Sequence, residues 1–250
     1  MKLAVINFSG NVGKSTIARH LLAPRIPGAS VIAIESINAD EGQAQALRGR
    51  QFGELQEYMQ TINDVVVDIG ASNVEELMRL MHRYRGSHED FDCFVVPTVP
   101  ASKQQQDTIA TLAELHLVGV APGRIKLVFN MVEDGEAVER AFDDVLSFLA
   151  ERPVASANAN CRLDMNEVYE RIKGSGSDLA ALARDDTDYK RLIADACDAA
   201  EKLALAQRLA TRRLARGVVP ELDACFAALN LGVADPTPRA TLAAGAVGAA

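Results

Sequence analysis

The stretch that decides the fold is "VINFSGNVGKSTIARHLL", residues 5–22. Its first residues are apolar and β-branched, its middle is small and polar, and from Lys14 onward it turns helical. A strand entering a tight loop and then a helix points a row of backbone N–H groups, those of residues 10–16, at one place. Unpaired amides and the helix dipole make that place attractive to an anion. The ending Gly13-Lys14-Ser15-Thr16 suits a nucleoside triphosphate. Lys14 supplies charge to the β- and γ-phosphates, and the Ser15 hydroxyl can hold Mg²⁺. The expected nucleotide-binding set is therefore Ser9, Gly10, Asn11, Val12, Gly13, Lys14, Ser15 and Thr16. One letter is unusual: the standard loop has glycine five residues before Gly13, where this chain has Phe8.

Outward from the loop, short β-branched runs alternate with longer helical patterns, which argues for βαβ units and a parallel sheet. Strands are expected at 3–7, 31–35, 65–68, 93–97 and 125–130, and a short last one is expected to open at Pro153-Val154. They lack polar alternation, as strands covered on both faces do. Helices are expected at 15–22, 73–84, 103–115, 136–150, 164–172, 188–216 and 220–229, with Pro220 in a first turn. The fold class is α/β, a parallel sheet flanked by helices with extra C-terminal helices. Residues 1–233 read as one domain, and 234–250, rich in Ala, Gly, Pro and Thr, as a poorly ordered tail.

Composition fits this reading. Of the 250 residues 48% are hydrophobic and 24% charged, and the net charge is −8, so nucleic-acid binding would need a local basic patch. No apolar run reaches the length of a membrane span. The chain enters a strand at once, leaving no room for a signal peptide, and four cysteines without a CxxC pair fit a reducing cytoplasm. The four histidines (His20, His82, His88, His116) lack metal-ligand spacing. A second acidic element is expected in "DVVVDIG", residues 64–70, where Asp68 emerges at the C-terminal edge of a buried strand. Ligands of open α/β sheets sit at that edge. Asp68 would contact Mg²⁺ directly or through water, and Gly70 would leave room near the γ-phosphate.

The run Phe8 to Thr16 resembles the deviant Walker A loop of the ParA/MinD family of ATPases, which also lacks glycine at the position of Phe8. The resemblance spans residue 1 to about 160. More narrowly, "INFSGNVGK" and the helical C-terminal third resemble StbB-type plasmid stability proteins within that family. The resemblance implies a P-loop NTPase of the SIMIBI type using ATP and Mg²⁺, with Lys14, Asp68, Glu35 and Asp40 as catalytic residues. It also implies a plasmid-encoded DNA-binding adaptor as partner and an ATP-dependent homodimer. Membrane attachment, which MinD-like relatives make through a terminal amphipathic helix, is not expected here, because the tail "PTPRATLAAGAVGAA" has few bulky apolar or basic residues. Asn130 stands where relatives bind the adenine edge, and the Met131, Val132 and Glu133 that follow lack the lysine of a guanine reader. Late basic residues bind DNA without sequence preference in such proteins. Arg208, Arg212, Arg213 and Arg216 match, and Arg208, Arg212 and Arg216 share one helix face, which reads equally as the solvated face of a long helix.

The chain departs from the family at three places. Ser9 replaces the signature lysine that crosses a dimer, and Asn11 replaces a glycine. In the first switch Glu35 matches the first acid while Ile37 occupies the second, leaving Asp40 as substitute. Weak or partner-stimulated hydrolysis is the expectation. Two alternatives stand beside it: a small-molecule ATP-dependent ligase or kinase on the same fold, and a pseudo-ATPase scaffold that binds nucleotide without hydrolysing it efficiently.

Overall fold

The structure is a computed structural model and describes residues 1–34 and 49–232. Six strands form one sheet: β1 (Lys2–Val5), β2 (Ser30–Ile34), β3 (Val65–Ile69), β4 (Cys93–Thr98), β5 (Ile125–Val132) and β6 (Arg162–Asp164). They run in the order β2-β3-β1-β4-β5-β6, and every pairing is parallel. The expected architecture, a parallel sheet flanked by helices with further C-terminal helices, is the one found. β3 and β4 are buried along their whole length, which is why they read as continuous apolar runs.

The two sheet faces carry separate apolar clusters. One gathers Ala4, Ile6, Val67, Phe94 and Phe129 under the helices α2 (Gly49–Thr61), α3 (Ala71–Arg83) and α4 (Ser102–Val118). The other gathers Leu3, Val5, Val66, Val95 and Val128 under α1 (Lys14–Thr16), its π-helical continuation (Ile17–Leu22), and the C-terminal helices. α10 (Ala199–Ala228) lays Ala215, Val218, Leu222 and Cys225 into this second cluster, against Leu21 and Leu22. Arg25 locks the contact: it bonds Asp223 at 2.9 Å and also the carbonyls of His20 and Leu21, at the end of the first helix where a cation is favoured.

Several boundaries differ from the sequence expectation. The last strand is not at Pro153-Val154; nearby, Ser156 makes one isolated bridge to Lys126, and the strand proper is β6. A three-residue strand with a single apolar side chain, Leu163, leaves too little pattern to read, so residues 164–167 do not begin a helix and α7 starts later (Val168–Ile172). The helix expected over 136–150 divides at Phe142 into α5 (Val138–Ala141) and α6 (Asp143–Glu151). The helix expected from Asp188 breaks after α9 (Tyr189–Asp195), because Asp198 starts α10 by accepting the Glu201 amide. α10 then runs through Pro220, which lies inside the helix and not in a first turn. α2 was not expected; its buried Phe52, Leu55 and Met59 do follow a helical spacing, diluted by Gly49 and Gly53. Among the described residues no helix is long and apolar enough to cross a membrane. Cys93, Cys161, Cys197 and Cys225 are all free, and Cys197 alone of these is exposed.

Candidate functional site

β1 ends beside β3 and β4, and the chain leaves the sheet there through residues 6–13 into α1. Gly13 turns the corner at φ +83°, a left-handed conformation that suits glycine, and its carbonyl accepts the first helical hydrogen bond from Ile17 at 2.9 Å. A Cβ at Gly13 would lie 2.3 Å from Asn130 Nδ2, so glycine is required on two counts. Asn130 donates from that nitrogen to the Val12 carbonyl at 2.9 Å. A register shift in β5 between Phe129 and Val132, with Met131 at φ +56°, accompanies this placement of Asn130 at the strand end.

Lys14 is 5% exposed and lies inside the loop, where its ammonium donates to the carbonyls of Asn7 at 3.1 Å and of Ser9. Burial depresses its pKa from 10.5 to about 8, against the opposing attraction of Asp68. Asp68 sits in β3 directly across from Val5 of β1 and is 3% exposed. The expected phosphate lysine and expected acid are therefore brought into one electrostatic unit. Ser15 is exposed at the start of α1 and Thr16 half-exposed. No cluster of three or more His, Cys, Asp or Glu among the described residues could hold a metal. The donor set present, one hydroxyl and one carboxylate beside a phosphate cradle, is the kind Mg²⁺ uses when the substrate supplies most of its oxygens.

The Lys14 shift has a consequence for pH. The unfolded chain keeps the lysine proton up to about pH 10.5, the folded one only to about 8, so between these values the unfolded state binds more protons. Stability of the free protein therefore rises with pH across that window. For a phosphate bound at Lys14, affinity is expected to fall about tenfold per pH unit above 8, with proton uptake on binding, since the bound form requires the ammonium. Titrations in buffers of different ionisation enthalpy check this.

Other sequence-derived residues are placed differently. Glu35 and Asp40 lie outside the described residues. The strand leading to them ends at Ile34, whose carbonyl accepts from Gly70 N at 2.9 Å and Asn73 Nδ2 at 3.1 Å. Asn73, like Asn7, Thr108 and Thr111, is buried near the site, and sequence reading missed all four. Arg208, Arg212, Arg213 and Arg216 are not brought to the loop by any contact. Arg212 donates to the carbonyls of Asp185 and Thr187 and stacks 4.8 Å from the Tyr189 ring centre. Arg216 bonds the carbonyls of Ala183 and Asp185 and pairs with Asp186. Two members of the expected basic face thus tie α8 (Leu179–Arg184) and α9 to α10, while Arg208 and Arg213 stay exposed. Arg212→Ala should lower the melting temperature by about 2–4 °C through the lost carbonyl bonds and stacking. An unchanged melting curve would refute that structural role.

Beside Ser15 and Thr16 a groove of about 960 Å³ runs along the first helix, with Arg19, His20, Tyr169 and Lys173 among its walls.

No family model matches this sequence, and neither does any curated protein. Among solved structures, an apo McdA from Cyanothece superposes with a TM-score of 0.48 at 13% identity, covering 86% of this chain and 99% of that one. An ATP complex of a Cyanothece McdA variant superposes with a TM-score of 0.46 at 14% identity, covering 87% and 97%. Likeness of this degree says nothing about what the present chain binds.

Proposed function

We propose that this chain is an ATP-binding, nucleotide-switched ATPase, ParA-like and closest to the StbB-type plasmid stability and partition proteins. Its partner would be a plasmid-encoded DNA-binding adaptor, and its setting the cytoplasm. The observation that carries the proposal is Lys14. A buried ammonium, desolvated and resting on two carbonyls of its own loop, is a costly arrangement unless an anion takes over from those carbonyls. The amides of residues 10–16 at the head of a helix are what that anion would meet.

Bound ATP would be held by those amides and Lys14, and Mg²⁺ by Ser15 and Asp68; the metal neutralises charge on the phosphates. In this arrangement Lys14 leaves the Asn7 and Ser9 carbonyls for the phosphates. Asp68, whose charge favours the Lys14 ammonium, would hold the metal from the sheet edge. Glu35 and Asp40 are proposed to position the attacking water, and Asn130 to meet the adenine edge with the part of its amide not bonded to Val12. With Ser9 in place of a lysine that crosses a dimer, hydrolysis is proposed to be slow or partner-stimulated. Binding to DNA, if carried by Arg208 and Arg213, would involve about two phosphates and a salt slope near −2.

The value of such a switch lies in the difference in partner affinity between nucleotide states. Light-scattering mass with ADP, ATP and a slowly hydrolysed analogue, each with Mg²⁺, tests it. A dimer with triphosphate alone supports the switch; the same mass in all three states removes ATP-driven dimerisation from the account. A second reading, a small-molecule ligase or kinase, is favoured by the groove beside Ser15 and Thr16, where Arg19 and Lys173 could meet an anionic acceptor. Turnover that depends on a metabolite would select it.

A further inference from the structure

Helix α4 turns a polar stripe toward the core. Gln105, Thr108 and Thr111, spaced three apart, are 4%, 0% and 0% exposed. An amphipathic helix normally buries an apolar stripe, and each buried polar group must be satisfied to be tolerated. Gln105 is accounted for by packing between elements: it donates to the carbonyls of Pro100 and Ala141 and accepts from Val145 N. The two threonines do something else.

Thr111 donates its hydroxyl proton to the Asp107 carbonyl at 2.8 Å, one turn back, and Thr108 does the same to Gln104 at 2.8 Å. Thr108 Oγ1 also lies 3.1 Å from Thr98 Oγ1 within this buried network. With the Thr111 proton spent on its own helix, its oxygen faces the loop as an acceptor, and the Thr108 oxygen accepts from the loop as well. Thr111 Oγ1 accepts the backbone amide of Phe8 at 3.1 Å, and Thr108 Oγ1 accepts from Asn7 Nδ2 at 2.8 Å. Asn7 uses its second amide hydrogen on the Pro97 carbonyl at 2.8 Å and its Oδ1 on Ser9 N at 2.7 Å. The amides of Phe8 and Ser9 are thus committed within the protein, while the carbonyls of Asn7 and Ser9 face Lys14. The first three loop residues are pinned from below, and the amides of residues 10–16 are left for a ligand.

We propose that Thr108 and Thr111 are positioning residues for the nucleotide. Acting through Phe8 and Asn7 from α4, they hold the loop so that its later amides and Lys14 converge on the phosphates. This rests on the triphosphate reading of the loop. Phe8 stands where the standard loop has glycine, and its amide receives from α4 the acceptor that this loop geometry needs.

The test measures the dissociation constant for Mg-ATP by calorimetry, with melting temperature alongside. Thr111→Val keeps shape but removes the acceptor, and should weaken binding about tenfold, the worth of one buried hydrogen bond. Thr111→Ser restores the oxygen and should bind within about twofold of the unmodified protein. Equal affinity in the valine variant overturns the proposal, as does equal weakening by valine and serine, which would point to packing alone. Should the valine variant not fold, Thr111→Cys keeps the volume with a poor acceptor, and wild-type affinity there overturns the proposal equally. Absence of binding by the unmodified protein would instead overturn the triphosphate reading on which it stands.

Discussion

Lys14→Ala is expected to raise the dissociation constant for Mg-ATP at least about 100-fold while leaving the protein folded. Among the described residues the ammonium is the one cation that contacts the loop's interior carbonyls, at 3.1 Å from Asn7 O and close to Ser9 O. Contacts from an ionised donor to phosphate are each worth about 1.5–3 kcal/mol, and two of them exceed the 2.7 kcal/mol that 100-fold requires. The effect on stability should be small or favourable below pH 8, because the variant no longer buries a charged group whose pKa is pulled to about 8. Calorimetric titration together with thermal melting separates the two effects. Unchanged ATP affinity in a folded variant would remove Lys14 from the phosphate site.

Gly13→Ala should destabilise the loop markedly. Alanine at φ +83° costs about 1–2 kcal/mol in backbone strain alone. Its Cβ would also fall 2.3 Å from Asn130 Nδ2, displacing the side chain that holds the Val12 carbonyl at 2.9 Å. Losing that bond adds about 1–2 kcal/mol, so a total near 2–4 kcal/mol is expected, together with loss of nucleotide binding. Adding Asn130→Gly removes the clash but neither the strain nor the loss of the bond to the Val12 carbonyl, so the double variant should stay destabilised. A full recovery would show that the collision alone matters; no loss in the single variant would contradict the loop geometry.

How far the sequence disclosed this depends on where each signal sits. The strand–loop–helix turn is a local pattern, a strand, small residues and Gly13-Lys14-Ser15-Thr16 within a dozen positions, so the expected backbone path is the one found. Asp68 was legible for the same reason, an acid closing an apolar run. The threonines of α4 were not, because polar residues at helical spacing look like a solvent face; only their register against Asn7 and Phe8, about 100 residues earlier, reveals an inward stripe. Arg212 and Arg216 were correctly read as sharing a face with Arg208, yet their partners include carbonyls of residues 183–187, and a carbonyl leaves no trace in sequence. β6 escaped because Leu163 is its one fully buried apolar side chain. The break before α10 was readable in retrospect: Asp198 and Glu201 have the spacing of a helix start.

Calorimetric titration of the full chain with Mg-ATP at pH 7 and pH 9 decides whether residues 10–16 and Lys14 form a triphosphate site. One site per chain is expected, with affinity at least about tenfold weaker at pH 9 and a net proton uptake there, as Lys14 regains its charge on meeting phosphate. A folded protein that gives no saturable binding at either pH would contradict it.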